Sequence, residues 1–225
     1  MKVAIVGHNE ARAVELVERL GFQVVQDAPE FVVSFGGDGT FMKAEHAYPG
    51  IPKIVLKDSA VCKVCSVLPN EEVLKKVKAG SYDIRTLIKL EGSANGKTIT
   101  GMNDITVHNG DPRHAIRYNL WADERQLGGV VIGDGIVVAT PFGSTAYYRS
   151  ITDSSFETGI GLAFNNSTEQ FDHVVLDDAK AIRLQVVRGP AVVYADNQQE
   201  FFQLGEGDTV TIKKSADVAR WVIVK

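Results

Sequence analysis

The sequence has little cysteine, no long apolar run and almost no excess charge, and each scarcity argues against a class of protein. Its two cysteines, Cys62 and Cys65, cannot form the disulfide framework of a small secreted domain, so we expect a reducing cytoplasm. The apolar run at residues 2–6 is too short for a signal peptide or a membrane span. The net charge is only -4 and the basic residues are scattered, so we expect neither nucleic acid nor a membrane as a partner.

Apolar residues are plentiful enough for a sizeable core, since 44% of the 225 residues are hydrophobic. Up to about residue 80, apolar runs alternate with amphipathic segments, a pattern typical of βαβ units and a parallel, Rossmann-like sheet. Farther along, strand-like segments are separated by Gly, Asn and Asp turns, which predicts a mostly β domain. We therefore predict an α/β domain over residues 1–82 and a β-rich domain over residues 83–225, whose last strand could return to the first domain.

The segment VVSFGGDGTFMKA, residues 32–44, places an aspartate among glycines where a strand should lead into a helix beginning at about Thr40. Glycine lets a ligand approach the backbone closely, and free N–H groups at a helix start favour an anion, so Gly37 and Gly39 could hold a phosphate chain. A carboxylate repels phosphate, so an aspartate at this place suggests a chemical role. Asp38 could bind Mg²⁺ or accept a proton. A plain strand-to-helix turn is the alternative, and this loop alone does not decide between them.

A second motif, GDGIVVATPFGSTAY, occupies residues 133–147. Together with GGDGT at residues 36–40 it resembles the NAD kinase family, in which two such motifs lie about a hundred residues apart. Between them, GMNDITVH at residues 101–108 resembles the family's Asn-Glu motif, with Asp104 where Glu is usual. The segment at residues 192–215 resembles the family's late β segment, so the resemblance touches most of the chain.

The resemblance implies an NAD kinase-like fold, an α/β domain followed by a mostly β domain, and an NAD kinase activity. Such an enzyme transfers a phosphoryl group from ATP, or from another donor, to the adenosine 2′-hydroxyl of NAD and so forms NADP. NAD and ATP are then substrates, and Mg²⁺ or another divalent cation accompanies the donor. The resemblance also implies a homodimer or homotetramer.

The same resemblance assigns roles to individual residues by their position in the motifs. Asp38 matches the general base that accepts the ribose proton. The expected substrate-binding residues are Gly37, Gly39 and Thr40 for phosphate, Asn103 and Asp104 for the adenosine part of NAD, Thr145, Ala146 and Tyr147 around adenine, and Asp134 and Ser150 near the nicotinamide half.

Two departures from the family pattern keep other functions open. The segment LKDSAVCKVC, residues 56–65, stands where the family has a glycine-containing GxLGF segment, and Phe142 replaces a small polar residue. A non-catalytic dinucleotide-binding module is therefore one alternative. A lipid kinase of the diacylglycerol or sphingosine kinase type, which shares GGDGT, is another. The Cys62-x-x-Cys65 pair offers only two of the four ligands of a structural zinc site, so we interpret it as structural and predict no metal site.

Overall fold

The computed structural model describes residues 1–168 and 173–225 and contains two compact units. Unit 1 comprises Met1–Leu87 and Asp217–Lys225, and unit 2 comprises Ile88–Ala216. Two long strands, β5 (Tyr82–Ala94) and β17 (Thr209–Val224), have residues in both. The other elements of unit 1 are β1 (Lys2–Gly7), α1 (Glu10–Arg19), β2 (Gln23–Val24), β3 (Phe31–Gly36), α2 (Asp38–Ala47), β4 (Lys53–Lys57) and α3 (Asn70–Lys78).

The strands of unit 1 form a parallel sheet in the order β2-β1-β3-β4-β17. Every residue of β3 is buried, as expected for a parallel strand that is covered on both faces. Helix α1 ends before Gly21, whose φ of +76° lies in the left-handed region that favours glycine. Helix α2 begins at Asp38, two residues before the predicted start, because the Gly37 carbonyl already accepts the N–H groups of Thr40 and Phe41.

A buried ion pair joins α2 to β4 within unit 1. The ammonium group of Lys53 on β4 is fully buried and donates to the Glu45 carboxylate on α2, whose side chain is only 3% exposed. Lys53 also donates to the Tyr48 carbonyl oxygen at 2.7 Å, and Glu45 accepts the Gly50 N–H at 3.2 Å. The C-terminal end of the helix that begins at Asp38 is therefore held by charge-assisted hydrogen bonds.

Unit 2 consists mainly of antiparallel strands. One sheet has six strands in the order β13-β12-β11-β7-β15-β16. A second sheet contains the order β10-β8-β14-β17, with β9 paired to β8 and β5 paired to both β6 and β17. The bounds are β6 (Lys97–Gly101), β7 (Asp104–Asn109), β8 (Ile116–Ala122), β9 (Arg125–Gln126), β10 (Val131–Gly133), β11 (Gly135–Ala139), β12 (Ile160–Asn165), β13 (His173–Leu176), β14 (Ile182–Arg188), β15 (Ala191–Ala195) and β16 (Phe201–Leu204).

The core of unit 2 lies between its two sheets. Ile105 and Ile136 of the six-stranded sheet belong to the same buried cluster as Leu120 and Leu184 of the other sheet. Strand β8 alternates between buried and more exposed residues, as expected when one face of an antiparallel sheet packs on a core. Strand β11 is buried throughout, because its other face is covered by the segment that carries a 3₁₀ helix (Gly143–Thr145) and α4 (Tyr147–Thr152).

The predicted fold class, a parallel α/β part followed by a mostly β part, is confirmed. Among residues 1–168 and 173–225, no helix is long and apolar enough to cross a membrane.

Candidate functional site

Asp38 is the first residue of α2, directly after the buried strand β3. Its side chain is held by hydrogen bonds to the backbone of another segment. The Oδ1 atom accepts the backbone N–H of Lys63 at 2.8 Å and that of Val64 at 3.0 Å. Two donors on one oxygen fix the orientation of the carboxylate, and charge-assisted bonds of this kind are stronger than neutral ones.

The glycines around Asp38 allow a close approach of neighbouring groups. A Cβ atom on Gly36 would lie 2.2 Å from the Thr40 hydroxyl oxygen, and one on Gly37 would lie 3.0 Å from the Val61 carbonyl oxygen. Gly39 is the second residue of α2. Thr40 is buried, and its hydroxyl lies beneath Gly36. The tight turn therefore uses both the absence of side chains and the small, branched Thr40 side chain.

In unit 2 the segments NDIT and TPFGST lie directly against each other. The Thr140 N–H donates to the Asn103 carbonyl oxygen at 2.8 Å, and the Thr140 hydroxyl donates to the Met102 carbonyl oxygen at 2.7 Å. A Cβ atom on Gly143 would lie only 2.0 Å from the Asn103 carbonyl oxygen, so this position requires glycine. The Asn103 side-chain oxygen is buried and has no hydrogen-bond partner among the described residues. It is an acceptor that a ligand could satisfy.

The carboxylate of Asp196 organises the same segment. It accepts the backbone N–H groups of Met102 at 2.8 Å, Asn103 at 2.7 Å and Asp104 at 3.2 Å. Asp196 itself has a φ of +50°, and its N–H donates to the Asp104 carbonyl oxygen at 3.1 Å. The backbone that presents Asn103 and Asp104 is thus fixed by a residue that follows β15.

Asp104 begins β7, and its side chain is buried. Burial, and then the nearby Asp196 carboxylate, raise the pKa of Asp104 to about 7, against a smaller lowering by the Thr106 hydroxyl. That hydroxyl donates to Asp104 Oδ1 at 3.4 Å. Burial also raises the pKa of Asp196, although three backbone N–H groups and Lys89 act in the opposite direction. The site therefore contains two neighbouring acidic groups that resist ionising together.

Tyr147, the first residue of α4, lies within electrostatic range of Asp104 and Asp134. Partial burial and the charges of Asp104 and Asp134 raise the pKa of its phenol, against a lowering by Asn165. The Asn165 side-chain amide donates to the Tyr147 oxygen at 3.0 Å and lies 3.2 Å from Nε2 of His108. The phenol is therefore protonated at neutral pH, and it is positioned by an amide on the neighbouring strand β12.

Asp134 lies between β10 and β11 and receives two amide side chains. Asn109 donates to its Oδ1 at 3.3 Å and Asn166 donates to its Oδ2 at 3.1 Å. The Asp134 backbone bonds to Asn109 and Asn165 as well. Four of the predicted residues therefore lie in one region of unit 2: Asn103, Asp104, Asp134 and Tyr147.

The remaining predicted residues of unit 2 occupy the helical segment beside this group. Thr145 ends the 3₁₀ helix and is exposed, and Ala146 precedes α4. Ser150 is exposed, and its hydroxyl donates to the Tyr147 carbonyl oxygen at 2.7 Å. The Ser144 hydroxyl donates to the carbonyl oxygens of Pro141 and Phe156. It therefore fixes the turn and does not cap α4.

Three contributors to these sites were missed by the sequence analysis. The segment after β4 donates both N–H groups to Asp38, Asp196 holds the Asn103 backbone, and Asn165 positions Tyr147. A local signal existed only for Asp196, which follows an apolar strand in a turn-like Asp-Asn pair. The described residues contain no group of three or more His, Cys, Asp or Glu side chains that could hold a metal ion.

The chain is similar to known proteins of one family. A family profile described as "ATP-NAD kinase C-terminal domain" matches residues 102–224. The NAD kinase of Saccharolobus islandicus (strain M.14.25 / Kamchatka #1) is 29% identical over 161 residues, which cover 68% of this chain and 64% of that protein. The NAD kinase of Pyrococcus abyssi is 27% identical over 202 residues, 86% of this chain and 73% of that protein. The chain thus spans less than two thirds of the Saccharolobus relative.

Two solved structures share the fold. An NAD kinase from Archaeoglobus fulgidus in complex with ATP superposes with a TM-score of 0.80 at 22% identity, covering 100% of this chain and 94% of that one. Yeast NADH kinase complexed with NADH superposes with a TM-score of 0.88 at 17% identity, covering 100% of this chain and 84% of that one. At such identities the likeness shows the fold alone.

Proposed function

We propose that this chain, which belongs to the NAD kinase family, phosphorylates the adenosine 2′-hydroxyl of NAD with ATP as donor and forms NADP and ADP. The relatives named above are NAD kinases, and the two solved structures hold ATP and NADH respectively, which supports these substrate classes. The observation that carries the proposal is Asp38: a carboxylate at a helix start, between glycines, oriented by two backbone N–H groups.

Asp38 is proposed as the general base. As the ribose oxygen bonds to the γ-phosphorus and the bond to ADP breaks, the 2′-hydroxyl proton passes to the carboxylate. Both observed hydrogen bonds end on Oδ1, so we assign proton acceptance to Oδ2. Phosphoryl transfer depends mainly on positioning and charge neutralisation, so a well-oriented carboxylate suffices as the base when it accepts the proton late.

Phosphate is proposed to bind at the beginning of α2. The free N–H groups of a helix N-terminus favour an anion, and Gly37 and Gly39 permit its close approach. Thr40 supports this turn from below. A divalent cation such as Mg²⁺, bound to the donor, is proposed to offset the negative charges of the phosphates and of Asp38.

NAD is proposed to bind to the group in unit 2. Asn103 and Asp104 are assigned to the adenosine part, with the unpartnered Asn103 oxygen accepting a hydrogen bond from the ligand. Thr145, Ala146 and Tyr147 are assigned to the adenine surroundings, and Tyr147 offers an aromatic face with a polar end. Asp134 and Ser150 are assigned to the nicotinamide half. Unit 1 and unit 2 are accordingly proposed as the phosphate-binding and dinucleotide-binding domains.

Three further features belong to the same proposal. We infer a homodimer or homotetramer, action in the cytoplasm, and small-molecule substrates as the main partners. Sedimentation velocity of the purified chain would measure the oligomeric state directly, and a purely monomeric boundary at working concentrations would contradict the first of these inferences.

The test of the function is NADP formation by the purified chain from NAD, ATP and Mg²⁺, measured with an NADP-specific dehydrogenase. Formation of NADP with release of one ADP per turnover supports the proposal. NAD binding in calorimetry without turnover would instead identify a non-catalytic dinucleotide-binding module. Phosphorylation of diacylglycerol or sphingosine, with none of NAD, would identify a lipid kinase.

A further inference from the structure

Residues 58–68, here named the cysteine loop, pack on the glycine turn of unit 1. The loop follows β4 and contains no helix or strand. Its Val61 carbonyl oxygen and Ser59 side chain are the neighbours that a Cβ atom on Gly37 would meet, at 3.0 and 3.2 Å. The Sγ atom of Cys65 lies 3.7 Å from the Gly36 carbonyl oxygen. The loop therefore contacts the turn at several points.

Within the cysteine loop, Cys62 and Cys65 form a disulfide. Lys63 and Val64, the two residues enclosed by this bridge, are the same two whose N–H groups bind Asp38 Oδ1, at 2.8 and 3.0 Å. The cross-link thus closes a small ring, and that ring supplies both donors to the carboxylate. The spacing of the two cysteines predicts only a structural pair, and no local pattern in the sequence places them at Asp38.

The Cys62–Cys65 disulfide is partly accessible to thiols in solution. Cys62 and Cys65 are both half-buried, and their neighbours Val61 and Lys63 are exposed. Thiol–disulfide exchange requires that a thiolate reach one sulfur, so partial exposure is the necessary condition. In a reducing compartment, a disulfide of this kind is formed and broken and does not persist as a permanent link.

We propose that the Cys62–Cys65 pair is a redox switch that controls how well Asp38 is positioned. The inference rests on the proposed function of Asp38. A dithiol reductant acts by attack of its thiolate on one sulfur, which gives a mixed disulfide and releases one cysteine. Its second thiol then displaces the other cysteine. Two electrons and two protons pass to the protein, which gains two thiols, and the reductant becomes a disulfide.

Reduction removes the constraint on Lys63 and Val64. The loop then samples more conformations, so the two N–H groups spend less time on Asp38 Oδ1 and the carboxylate is oriented less often. We expect kcat to fall by about threefold to twentyfold on reduction. A cross-link that closes a ring of four residues reduces the number of accessible chain conformations by a factor of this order. KM for NAD should change little, since the assigned dinucleotide contacts lie in unit 2.

The experiment compares the oxidised and the reduced full-length chain. One preparation is oxidised with excess oxidised dithiothreitol and the other reduced with dithiothreitol, and the thiols are counted with Ellman's reagent. NADP formation gives kcat and KM for each. Hydrogen exchange of the Lys63 and Val64 amides gives a readout that needs no activity. We expect a lower kcat and faster exchange in the reduced chain, both reversed by reoxidation.

Two variants act as controls. The double variant Cys62→Ser, Cys65→Ser should show the low kcat of the reduced chain and no response to dithiothreitol. Val67→Ser changes a fully exposed residue of the same loop and should respond like the unmodified chain. Equal kcat in both redox states, or a faster reduced chain, would overturn the switch while leaving the NAD kinase proposal intact. Absence of NADP in both redox states would refute the proposed function instead, and equal amide exchange would refute the switch in any case.

Discussion

In unit 1 the Asp38 carboxylate lies at a helix start and receives two backbone N–H groups, whereas in unit 2 the Asp104 carboxylate is buried in a strand beside a second aspartate. The first arrangement keeps a carboxylate oriented at the end of a glycine turn. The second raises the pKa of a carboxyl group to about 7 by burial. The tasks that we propose for the two units differ accordingly: proton acceptance in unit 1 and ligand binding in unit 2.

The largest expected effect comes from removing the charge in unit 1. Asp38→Asn preserves the shape of the side chain and tolerates the same turn, but it cannot accept the ribose proton. We expect kcat to fall by a factor on the order of 10²–10⁴, with the melting temperature nearly unchanged. NADP formation and thermal unfolding of the same preparation check both points.

Asp27→Asn is the matched control, because Asp27 is an exposed aspartate of unit 1 outside the turn. It should keep full turnover. If Asp38→Asn retains turnover within a few-fold, Asp38 is not the base. If it unfolds, the carboxylate has a structural role in holding the cysteine loop.

Lys53→Met tests how strongly the helix that carries Asp38 is anchored. The substitution leaves the Glu45 carboxylate buried without its partner ammonium group, which should lower the free energy of unfolding by about 3–5 kcal/mol. Urea unfolding measures this change. Lys57→Met, on the exposed end of the same strand, should have an effect near zero, and the pair Lys53→Met, Glu45→Gln should recover much of the loss. An unchanged midpoint for Lys53→Met would contradict the anchoring role.

Asp104→Asn tests the buried carboxyl group of unit 2. With a pKa of about 7 when folded and an ordinary value of 3.8 when unfolded, Asp104 makes the folded state bind more protons between these pH values. The free energy of unfolding therefore falls as the pH rises from about 4 to about 7. Asn cannot ionise, so the variant should lose this slope and be more stable than the unmodified chain above about pH 8, by on the order of 2–4 kcal/mol.

Urea unfolding at about pH 5 and about pH 8 measures that slope. Asp196, whose pKa is also raised, contributes a slope of the same sign that remains in the variant. Asp153→Asn, at an exposed residue whose positive φ Asn also tolerates, should keep the full slope. An Asp104→Asn variant with the slope of the unmodified chain would show that Asp104 is ionised when buried.

The smallest expected effect concerns NAD affinity. Asn103→Ala removes a buried acceptor that has no partner among the described residues, so binding of NAD should weaken by roughly 1–3 kcal/mol. Isothermal titration calorimetry measures the change. Asn119→Ala, at a half-buried asparagine on β8, should leave the affinity unchanged. Unchanged NAD affinity for Asn103→Ala would contradict the assignment of Asn103 to the adenosine part of NAD.

Features set by neighbouring residues could be predicted from the sequence, whereas contacts between distant residues could not. The strand, glycine turn and helix around Asp38 are set by neighbouring residues, so their order was predictable and only the helix start differed by two residues. The strand-like segments between Gly, Asn and Asp turns likewise indicated a mostly β second part. The carboxylate of Asp196, by contrast, binds N–H groups more than ninety residues away, as in Asn103. Such a pairing depends on the sheet topology, so the turn-like Asp-Asn pair after β15 indicates a turn but does not indicate which N–H groups Asp196 binds.

The loop over Asp38 illustrates the same limit. Residues 56–65 lack the glycines expected at that place, which marked the segment as unusual without indicating what it does. Its contacts with Asp38 span a sequence separation of 25 and 26 residues and arise from the packing of unit 1. The burial that raises the pKa of Asp104 has the same origin, because Asp-Ile-Thr reads as an ordinary strand start.

The division of tasks between the two units is tested most directly by measuring kcat and NAD affinity side by side for Asp38→Asn and Asn103→Ala. We expect Asp38→Asn to lose turnover and keep its NAD affinity. We expect Asn103→Ala to bind NAD more weakly, with most of the turnover restored by saturating NAD. Equal losses of affinity and turnover in both variants would contradict this division of tasks.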